Sequence, residues 1–193
     1  MKFRITAAAL VASSLLAGCS TENADNAVAQ GGTFQFISPG GQTVIEYAPE
    51  ERAPVKDFGG TGVDGKPISL GDFAGQIVVI NSWGQWCAPC RSESDDLQAV
   101  HEKLQERGIG TLLGINVKDY SLDISRDFMK DNGLTYPSLY DPPFKTAAAL
   151  GGVPTSVVPT TIVLDKQHRP AAVFLKGITE AEVMEVVDRL EKE

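Results

Sequence analysis

Trp83-Gly84-Gln85-Trp86-Cys87-Ala88-Pro89-Cys90 carries the main structural signal of this chain of 193 residues. The β-branched run Ile77–Trp83 leads into it and predicts a strand that is buried on both faces. After it, apolar side chains recur at helical spacing from Ala88 to Arg107, so the cysteine pair opens a helix. Two thiols separated by two residues at a helix start can pass a disulfide to and from a partner. The stretch therefore predicts redox chemistry.

The two cysteines differ in their position on this helix. Cys87 lies at the N-terminus, where free N–H groups favour a thiolate, and we expect it to be the attacking nucleophile. Cys90, one turn further on, would be shielded until it attacks the Cys87 sulfur and releases the partner. A structural disulfide and half of a zinc site are the alternatives. Zinc needs about four ligands, and the chain adds only His101 and His168, so we expect no metal and no cofactor.

The third cysteine ends an export signal. A short basic start precedes the apolar run Ile5–Ala17, which is shorter than the roughly 20 residues of a membrane-spanning helix. Leu16-Ala17-Gly18-Cys19 resembles the lipobox of bacterial lipoproteins, in which the cysteine receives a lipid and becomes the new N-terminus. We therefore expect a signal peptide over residues 1–18 and a lipid on Cys19 that anchors the protein to the extracytoplasmic face of the cell membrane. An ordinary secretory signal is the alternative.

The remaining chain divides into a tether and one domain. Residues 19–32 have too few apolar side chains to fold, which predicts a flexible tether. Residues 33–193 have the length and apolar content of a single domain. The net charge of −8 argues against nucleic acid as an electrostatic partner. Ser20 leaves sorting to an outer membrane open in a two-membrane cell.

Strands and helices alternate along the domain. Thr33–Ile37 and Thr43–Tyr47 flank a Pro-Gly turn and predict an N-terminal β-hairpin. A central insert around Leu122–Leu134 begins with a helix. Further strands are expected at Thr111–Val117, Thr160–Asp165 and Ala171–Lys176, and further helices around Phe144–Leu150 and from Thr179 onward. This order predicts an α/β fold with a mixed central sheet and helices on both faces.

The buried strand, the cysteine motif, Val158-Pro159-Thr160-Thr161 and the final ββα unit together resemble the thioredoxin fold. The lipobox, the insert and Cys90-Arg91-Ser92-Glu93 narrow the resemblance to the TlpA/ResA-like membrane-anchored thiol–disulfide oxidoreductases of the AhpC/TSA-redoxin type. The resemblance implies that Pro159 is a cis-proline facing the disulfide and that Val158 pairs its backbone with a substrate strand. Val153-Pro154-Thr155 is a competing copy, but no strand follows it.

The resemblance also assigns roles to two neighbours of the cysteines. ResA-like proteins carry a glutamate active in thiol chemistry at the place of Glu93, which can accept the Cys90 proton if burial raises its pKa. The alternative is an exposed glutamate that the helix dipole stabilises. Asn81 stands where thioredoxins keep a buried acid, which leaves Glu93 as the main local candidate for a base. Trp86 either packs around the site or forms a platform for substrate.

The implied function is disulfide exchange with protein substrates outside the cytoplasm. Resemblance to ResA-like proteins implies reduction of the haem-binding cysteines of apocytochrome c, with electrons from a membrane donor of the CcdA or DsbD type. Ala88-Pro89 lacks the histidine that would over-stabilise a thiolate, which favours a reducing enzyme. Oxidative disulfide formation in exported proteins is the first alternative.

Two other classes share parts of the pattern. A peroxidase would carry threonine or serine three residues before its reactive cysteine, whereas Gly84 precedes Cys87 and Cys87 precedes Cys90 at that distance. A Sco-like copper-delivery protein would use CxxxC with a distal histidine, and the spacing here is one residue shorter.

Overall fold

The computed structural model describes residues 32–37 and 40–193. The predicted signal peptide, Cys19 and all of the predicted tether except Gly32 lie outside the described residues. The strands are β1 (Val44–Glu46), β2 (Gly59–Thr61), β3 (Pro67–Ser69), β4 (Ile77–Trp83), β5 (Gly110–Asn116), β6 (Ser138–Tyr140), β7 (Thr160–Leu164) and β8 (Pro170–Phe174). The α-helices are α1 (Ala88–Ser92), α2 (Ser94–Glu106), α3 (Leu122–Asp131) and α4 (Glu180–Leu190).

Six of the strands form a mixed sheet in the order β1-β8-β7-β4-β5-β6. Strand β4 is central, parallel to β5 and antiparallel to β7. All seven of its residues are buried, so the β-branched run forms the expected strand with the expected bounds. Strands β2 and β3 form a separate hairpin that reaches the edge strand β6 through a bridge between Gly62 and Leu139. The predicted mixed α/β fold is confirmed.

The side chains of β4 alternate between two apolar clusters, one on each face of the sheet. Val79 and Trp83 lie in the first cluster, to which α2, α3 and α4 contribute. Val78 and Ile80 lie in the second cluster, which extended segments and 3₁₀ turns cover. The helix predicted around Phe144–Leu150 forms as a short 3₁₀ helix, and it lies on this second face. The prediction of helices on both faces therefore holds only in part: the α-helices and the cysteine pair share one face, and 3₁₀ helices lie on the other.

The predicted N-terminal hairpin is wrong. Thr43–Tyr47 contains β1, but β1 pairs with β8 and not with the preceding run. Thr33–Ile37 is not a strand, because Phe34 and Phe36 donate their N–H groups to loop carbonyls, each at 2.9 Å. Both aromatic rings pack in the second cluster. The alternation that suggested strand pairing reflects the burial of these two rings against the domain.

Gly151 is the point where this N-terminal segment meets the domain. Its carbonyl accepts the Phe36 N–H, its φ is +76°, and an added Cβ would lie 2.6 Å from a Phe34 ring carbon. We expect Gly151→Ala to lower the free energy of unfolding by about 2 to 3 kcal/mol, because left-handed strain and a clash add together. Denaturant unfolding measures the loss.

Gly152→Ala is the matched control for that prediction. Gly152 has a φ of +81°, and an added Cβ there would meet nothing within 4 Å. This variant carries the backbone strain without the clash, so its expected loss is about 1 kcal/mol. Equal losses in the two variants would show that Phe34 does not press on Gly151.

Three short strands were not predicted from the sequence, because none shows an alternation of apolar and polar residues. Strands β2 and β3 lie in a Gly- and Pro-rich stretch, and all three residues of β2 are exposed. Strand β6 has only three residues. Helix α3 forms at Leu122–Asp131, within the predicted insert. Among the described residues, no helix combines the length and the apolar character that crossing a bilayer requires.

Candidate active site

The end of β4 and the start of α1 carry the two cysteines. Their sulfurs form a disulfide, with the Cα atoms 5.3 Å apart. Cys87 is the N-cap of α1, and its sulfur accepts the N–H of Cys90 at 3.2 Å. Both residues are only 3% exposed. The sequence predicted shielding for Cys90 alone, whereas the disulfide form buries both cysteines in the first cluster.

Pro159 lies beside this disulfide. The Val158–Pro159 peptide is the cis bond of the described residues, and the bond before the competing Pro154 is not cis. The Cys87 sulfur is 3.6 Å from the carbonyl oxygen of Val158. Strand β7 begins at the next residue, Thr160, and runs antiparallel to β4. The sheet register therefore brings residues more than seventy positions apart into one site.

Trp86 forms the exposed flank of the disulfide. Its indole N–H donates to the carbonyl of Val117 at 3.0 Å, and the Lys118 ammonium lies 5.5 Å from the ring centroid. The residue is 46% exposed, so the ring both packs on the loop after β5 and faces solvent. Gly84 permits this placement, because a Cβ there would lie 2.8 Å from the Val117 oxygen and would collide with the indole.

Glu93 interrupts the helix that the sequence predicted to run without a break. It ends α1 and begins α2 with φ −95° and ψ −2°. The interruption places its side chain inside the protein, where the residue is 2% exposed. One carboxylate oxygen accepts from Asn81 Nδ2 at 3.0 Å, and the other accepts from the Ile178 N–H at 2.9 Å. The alternative of an exposed glutamate is therefore wrong.

Burial raises the pKa of Glu93 to about 7, against the lowering effect of its two hydrogen bonds. The charge of Asp96 on α2 raises the pKa further. A carboxyl group with this pKa gains and loses a proton near neutral pH. Glu93 follows Cys90 by three residues and both are buried, which suits the carboxyl group to exchange a proton with the resolving thiol.

Asp119 is a site residue that the sequence reasoning missed. It is buried, and one carboxylate oxygen accepts the Gln85 N–H and the Asn116 side-chain amide, both at 2.8 Å. Asp119 thereby fixes the loop that precedes Cys87. A signal for it existed: Asn116 ends a strand parallel to β4, and the carboxyl ends of parallel strands share one edge of a sheet.

The two histidines lie in structural contacts. His101 on α2 packs edge-on against Tyr136, with ring centroids 6.2 Å apart. His168 occupies the turn between β7 and β8 and contacts the Phe73 carbonyl at 3.1 Å. Across residues 32–37 and 40–193, no three side chains of His, Cys, Asp or Glu come together in a group that could hold a metal ion.

Comparison with known proteins places this geometry in a family. The AhpC/TSA family model matches residues 51–169, which is more than half of the chain. The chain belongs to the AhpC/TSA family. Among the relatives of this AhpC/TSA member is the thiol-disulfide oxidoreductase ResA of Geobacillus thermodenitrificans, 27% identical over 134 residues, 69% of this chain and 74% of that protein. ResA of Bacillus cereus is 29% identical over 127 residues, 64% of this chain and 70% of that protein.

Two solved structures are more similar in sequence to this AhpC/TSA member. A DsbF homologue from Corynebacterium diphtheriae is 65% identical, with a TM-score of 0.80 and coverage of 82% of this chain and all of that one. A secreted thiol-disulfide isomerase from Corynebacterium glutamicum is 61% identical, with a TM-score of 0.82 and coverage of 84% of this chain and all of that one. The chain is a thiol–disulfide oxidoreductase with a thioredoxin-like fold, and Cys87–Cys90 is its cysteine pair.

Proposed function

We propose that this enzyme forms and rearranges disulfides in exported proteins outside the cytoplasm. The observation that carries the proposal is the 3.6 Å approach of the Cys87 sulfur to the Val158 carbonyl, next to Pro159. A substrate segment paired with the Val158 backbone would hold its cysteine beside Cys87. Trp86, exposed on the flank of the disulfide, offers an aromatic surface to that segment.

The exchange follows from thiolate chemistry on the Cys87 sulfur. A substrate thiolate attacks Cys87, a mixed disulfide forms, and the Cys87–Cys90 bond breaks with its electron pair on Cys90. The second substrate thiolate then attacks the substrate sulfur of the mixed disulfide, and Cys87 leaves as a thiolate. Two electrons pass from substrate to enzyme, and Glu93 supplies the proton that Cys90 takes up. Reduction is the reverse, with Cys87 attacking and Cys90 resolving.

The direction towards disulfide formation and isomerisation is supported by sequence identity. The two proteins titled DsbF homologue and secreted thiol-disulfide isomerase share 65% and 61% of aligned residues with this chain. The ResA relatives share less than half of that, 27% and 29%. Similarity of this degree favours an isomerase-type exchange outside the cytoplasm, for which the cysteines of exported proteins are the substrates we propose.

Reduction of apocytochrome c is the second candidate function. Its support is the ResA relatives, together with the absence of a histidine from Ala88-Pro89 between the cysteines. An enzyme in this role would be recharged by a membrane electron donor of the CcdA or DsbD type. Glu93 serves either direction, because Cys90 gives up a proton in one and takes up a proton in the other.

A lipid on Cys19 would hold the enzyme at the extracytoplasmic face of the cell membrane in both cases. The support is the sequence Leu16-Ala17-Gly18-Cys19. The intact mass of the protein extracted from membranes tests this part of the proposal. A mature chain that begins at any residue other than a diacylated Cys19 contradicts it.

The reduction potential of the Cys87–Cys90 pair separates the two directions. We expect a value between about −120 and −180 mV, the range of a disulfide donor and of an isomerase. Titration of the whole enzyme against a glutathione series, with the fraction of free thiols counted by mass, gives this potential. A value near or below about −270 mV, as in thioredoxin, would overturn the proposed direction and support the second candidate.

A further inference from the structure

Asn81 is fully buried in β4, and only one end of its side-chain amide has partners. Its Nδ2 donates to Glu93 Oε1 and to Thr161 Oγ1, both at 3.0 Å. Its Oδ1 is buried without a hydrogen-bond partner among the described residues. A buried carbonyl oxygen without a donor carries a desolvation penalty, and such an atom calls for a physical explanation.

The contacts of the Glu93 carboxyl group suit only one of its two protonation states. Its side-chain partners are donors, the Asn81 amide and the Ile178 N–H, and these match an ionised carboxylate. A protonated carboxyl group needs an acceptor for its O–H. The unpaired oxygen of Asn81 is such an acceptor, and half a turn about the Cβ–Cγ bond brings it to the place that Nδ2 now occupies.

We propose that Asn81 is a positioning residue that reverses its side-chain amide whenever Glu93 gains or loses its proton. When Glu93 is ionised, Nδ2 donates to Glu93 and to Thr161. When Glu93 is protonated, the amide is reversed, and the Glu93 O–H and the Thr161 hydroxyl both donate to Oδ1. In each arrangement one end of the amide has two hydrogen-bond partners and the other end has none. The Glu93 carboxyl group therefore keeps its hydrogen bond to Asn81 in both protonation states.

This inference rests on the proposed proton transfer between Glu93 and Cys90. It adds a hydrogen-bond acceptor, Asn81 Oδ1, for the proton while Glu93 holds it. When Cys90 loses its proton to Glu93, the amide turns, and its Oδ1 accepts a hydrogen bond from the Glu93 O–H. When Glu93 returns the proton, the amide turns back and donates. An ionised acid in place of Asn81 could only accept, and an apolar residue could do neither. An amide suits both halves of the exchange.

The groups that face Glu93 do not take this role themselves. Asp96 contributes its charge, and it accepts the N–H of Glu180 at the start of α4. Burial raises the pKa of Tyr136 well above its usual value and lowers the pKa of His101, so both stay neutral around pH 7. Lys176, in the loop before α4, is paired with Glu182. Cys90, three residues before Glu93, is bonded to Cys87 in the disulfide form.

The test follows Glu93 and Asn81 by NMR in the whole enzyme, isotope-labelled and held in its disulfide form, between pH 5 and 9. We expect the Glu93 carboxyl carbon and the Asn81 side-chain nitrogen to titrate with one shared midpoint. We also expect the contact between the Asn81 amide protons and Thr161 to be present above that midpoint and absent below it. An amide contact with Thr161 that persists while Glu93 titrates would overturn the proposal, as would a Glu93 that does not titrate in this range.

Asn81→Leu supplies a second readout, because leucine keeps the approximate shape and removes both polar ends. The variant loses the Asn81–Glu93 hydrogen bond in both protonation states of Glu93, and the bond to the ionised carboxylate is the stronger of the two. We therefore expect the pKa of Glu93 to rise by about one, a tenfold gain in proton affinity. Thr111→Val is the control: this buried threonine of β5 is aligned with Val78, in the second cluster, and its loss should leave Glu93 unchanged. An unchanged Glu93 in Asn81→Leu would contradict the proposal.

The disulfide form also separates this inference from the proposed role of Glu93. Cys90 does not titrate while it is bonded to Cys87, so the amide reversal is observed without any thiol chemistry. The role of Glu93 is measured in the reduced enzyme, as the pH dependence of Cys90 alkylation. If that pH dependence shows no step at the Glu93 midpoint while the amide reverses in the disulfide form, the proton transfer to Cys90 fails and the reversal of Asn81 stands.

Discussion

Cys90→Ser is expected to lower turnover by about a thousandfold or more and to leave the enzyme covalently joined to its substrates. In the reducing direction, Cys87 can still attack a substrate disulfide, but the variant has no second sulfur to resolve the bond that forms. The Cys90 sulfur bonds to Cys87 in the resting enzyme, and an intramolecular thiol of this kind far outcompetes a thiol from solution. Non-reducing electrophoresis and mass spectrometry of the reduced variant, mixed with an oxidised protein, measure the adduct.

Cys87→Ser is the matched control for the assignment of the two roles. It removes the sulfur that lies beside Val158, so it should also lose activity but should form no adduct. Both variants should therefore lose turnover, but only Cys90→Ser should form a covalent adduct with its substrate. An adduct on Cys90 in Cys87→Ser, with none in Cys90→Ser, would reverse the assignment of attacking and resolving thiols.

Glu93→Gln is expected to stabilise the protein at alkaline pH and to leave its stability nearly unchanged at acid pH. Below pH 4.5 the carboxyl group is protonated in both the folded and the unfolded state. Between pH 4.5 and about 7 the unfolded chain releases the proton while the folded protein retains it, so wild-type stability falls as the pH rises. This shift in the pKa of Glu93 corresponds to about 3 kcal/mol.

The expected gain for Glu93→Gln is about 3 kcal/mol at pH 8, the full shift, because glutamine does not titrate and so loses no stability between pH 4 and pH 8. Urea unfolding at pH 4 and pH 8 measures it. Glu102→Gln, an exposed change on α2, should alter stability by less than about 0.5 kcal/mol at either pH. A Glu93→Gln gain that is the same at pH 4 and pH 8 would show that Glu93 does not carry the raised pKa.

The same variant should slow the resolving step. A positioned general base contributes about a hundredfold or more to a proton transfer, so the attack of Cys90 on a mixed disulfide should slow by about that factor near pH 7. The difference should shrink as the pH rises, because a growing fraction of the thiol then ionises without a base. A uniform loss at every pH would indicate a structural fault and not a lost base.

The parts of the fold that the sequence predicted correctly are those with strong local signals. The β-branched run gave β4 with its bounds, and the spacing of Thr179 and Glu182 gave the capping box of α4, in which the two residues bond to one another. The strand pattern before the cysteine pair and the helix pattern after it predicted where the pair lies in the fold. Pro159 was chosen over Pro154 because a strand follows it, and the structure has the cis bond at Pro159.

The parts that could not be predicted depend on contacts between distant residues. Asn81 and Thr161 touch because β4 and β7 are neighbours in register, and a helical pattern cannot show that Glu93 will interrupt it. Phe34 and Phe36 looked like part of a strand, since burial against a folded domain produces the same alternation as pairing in a hairpin. Local patterns report which side chains are buried, but not which residues bury them.

Transfer of the disulfide between the enzyme and a protein tests the central claim most directly. The oxidised enzyme is mixed with a reduced exported protein that has two cysteines, the reduced enzyme is mixed with the oxidised form of that protein, and free thiols are counted after an acid quench. We predict that each Cys87–Cys90 disulfide lost or gained is matched by one substrate disulfide gained or lost, through an adduct on Cys87. A pair whose oxidation state stays the same in both mixtures, or a substrate that changes while the pair does not, would contradict the account.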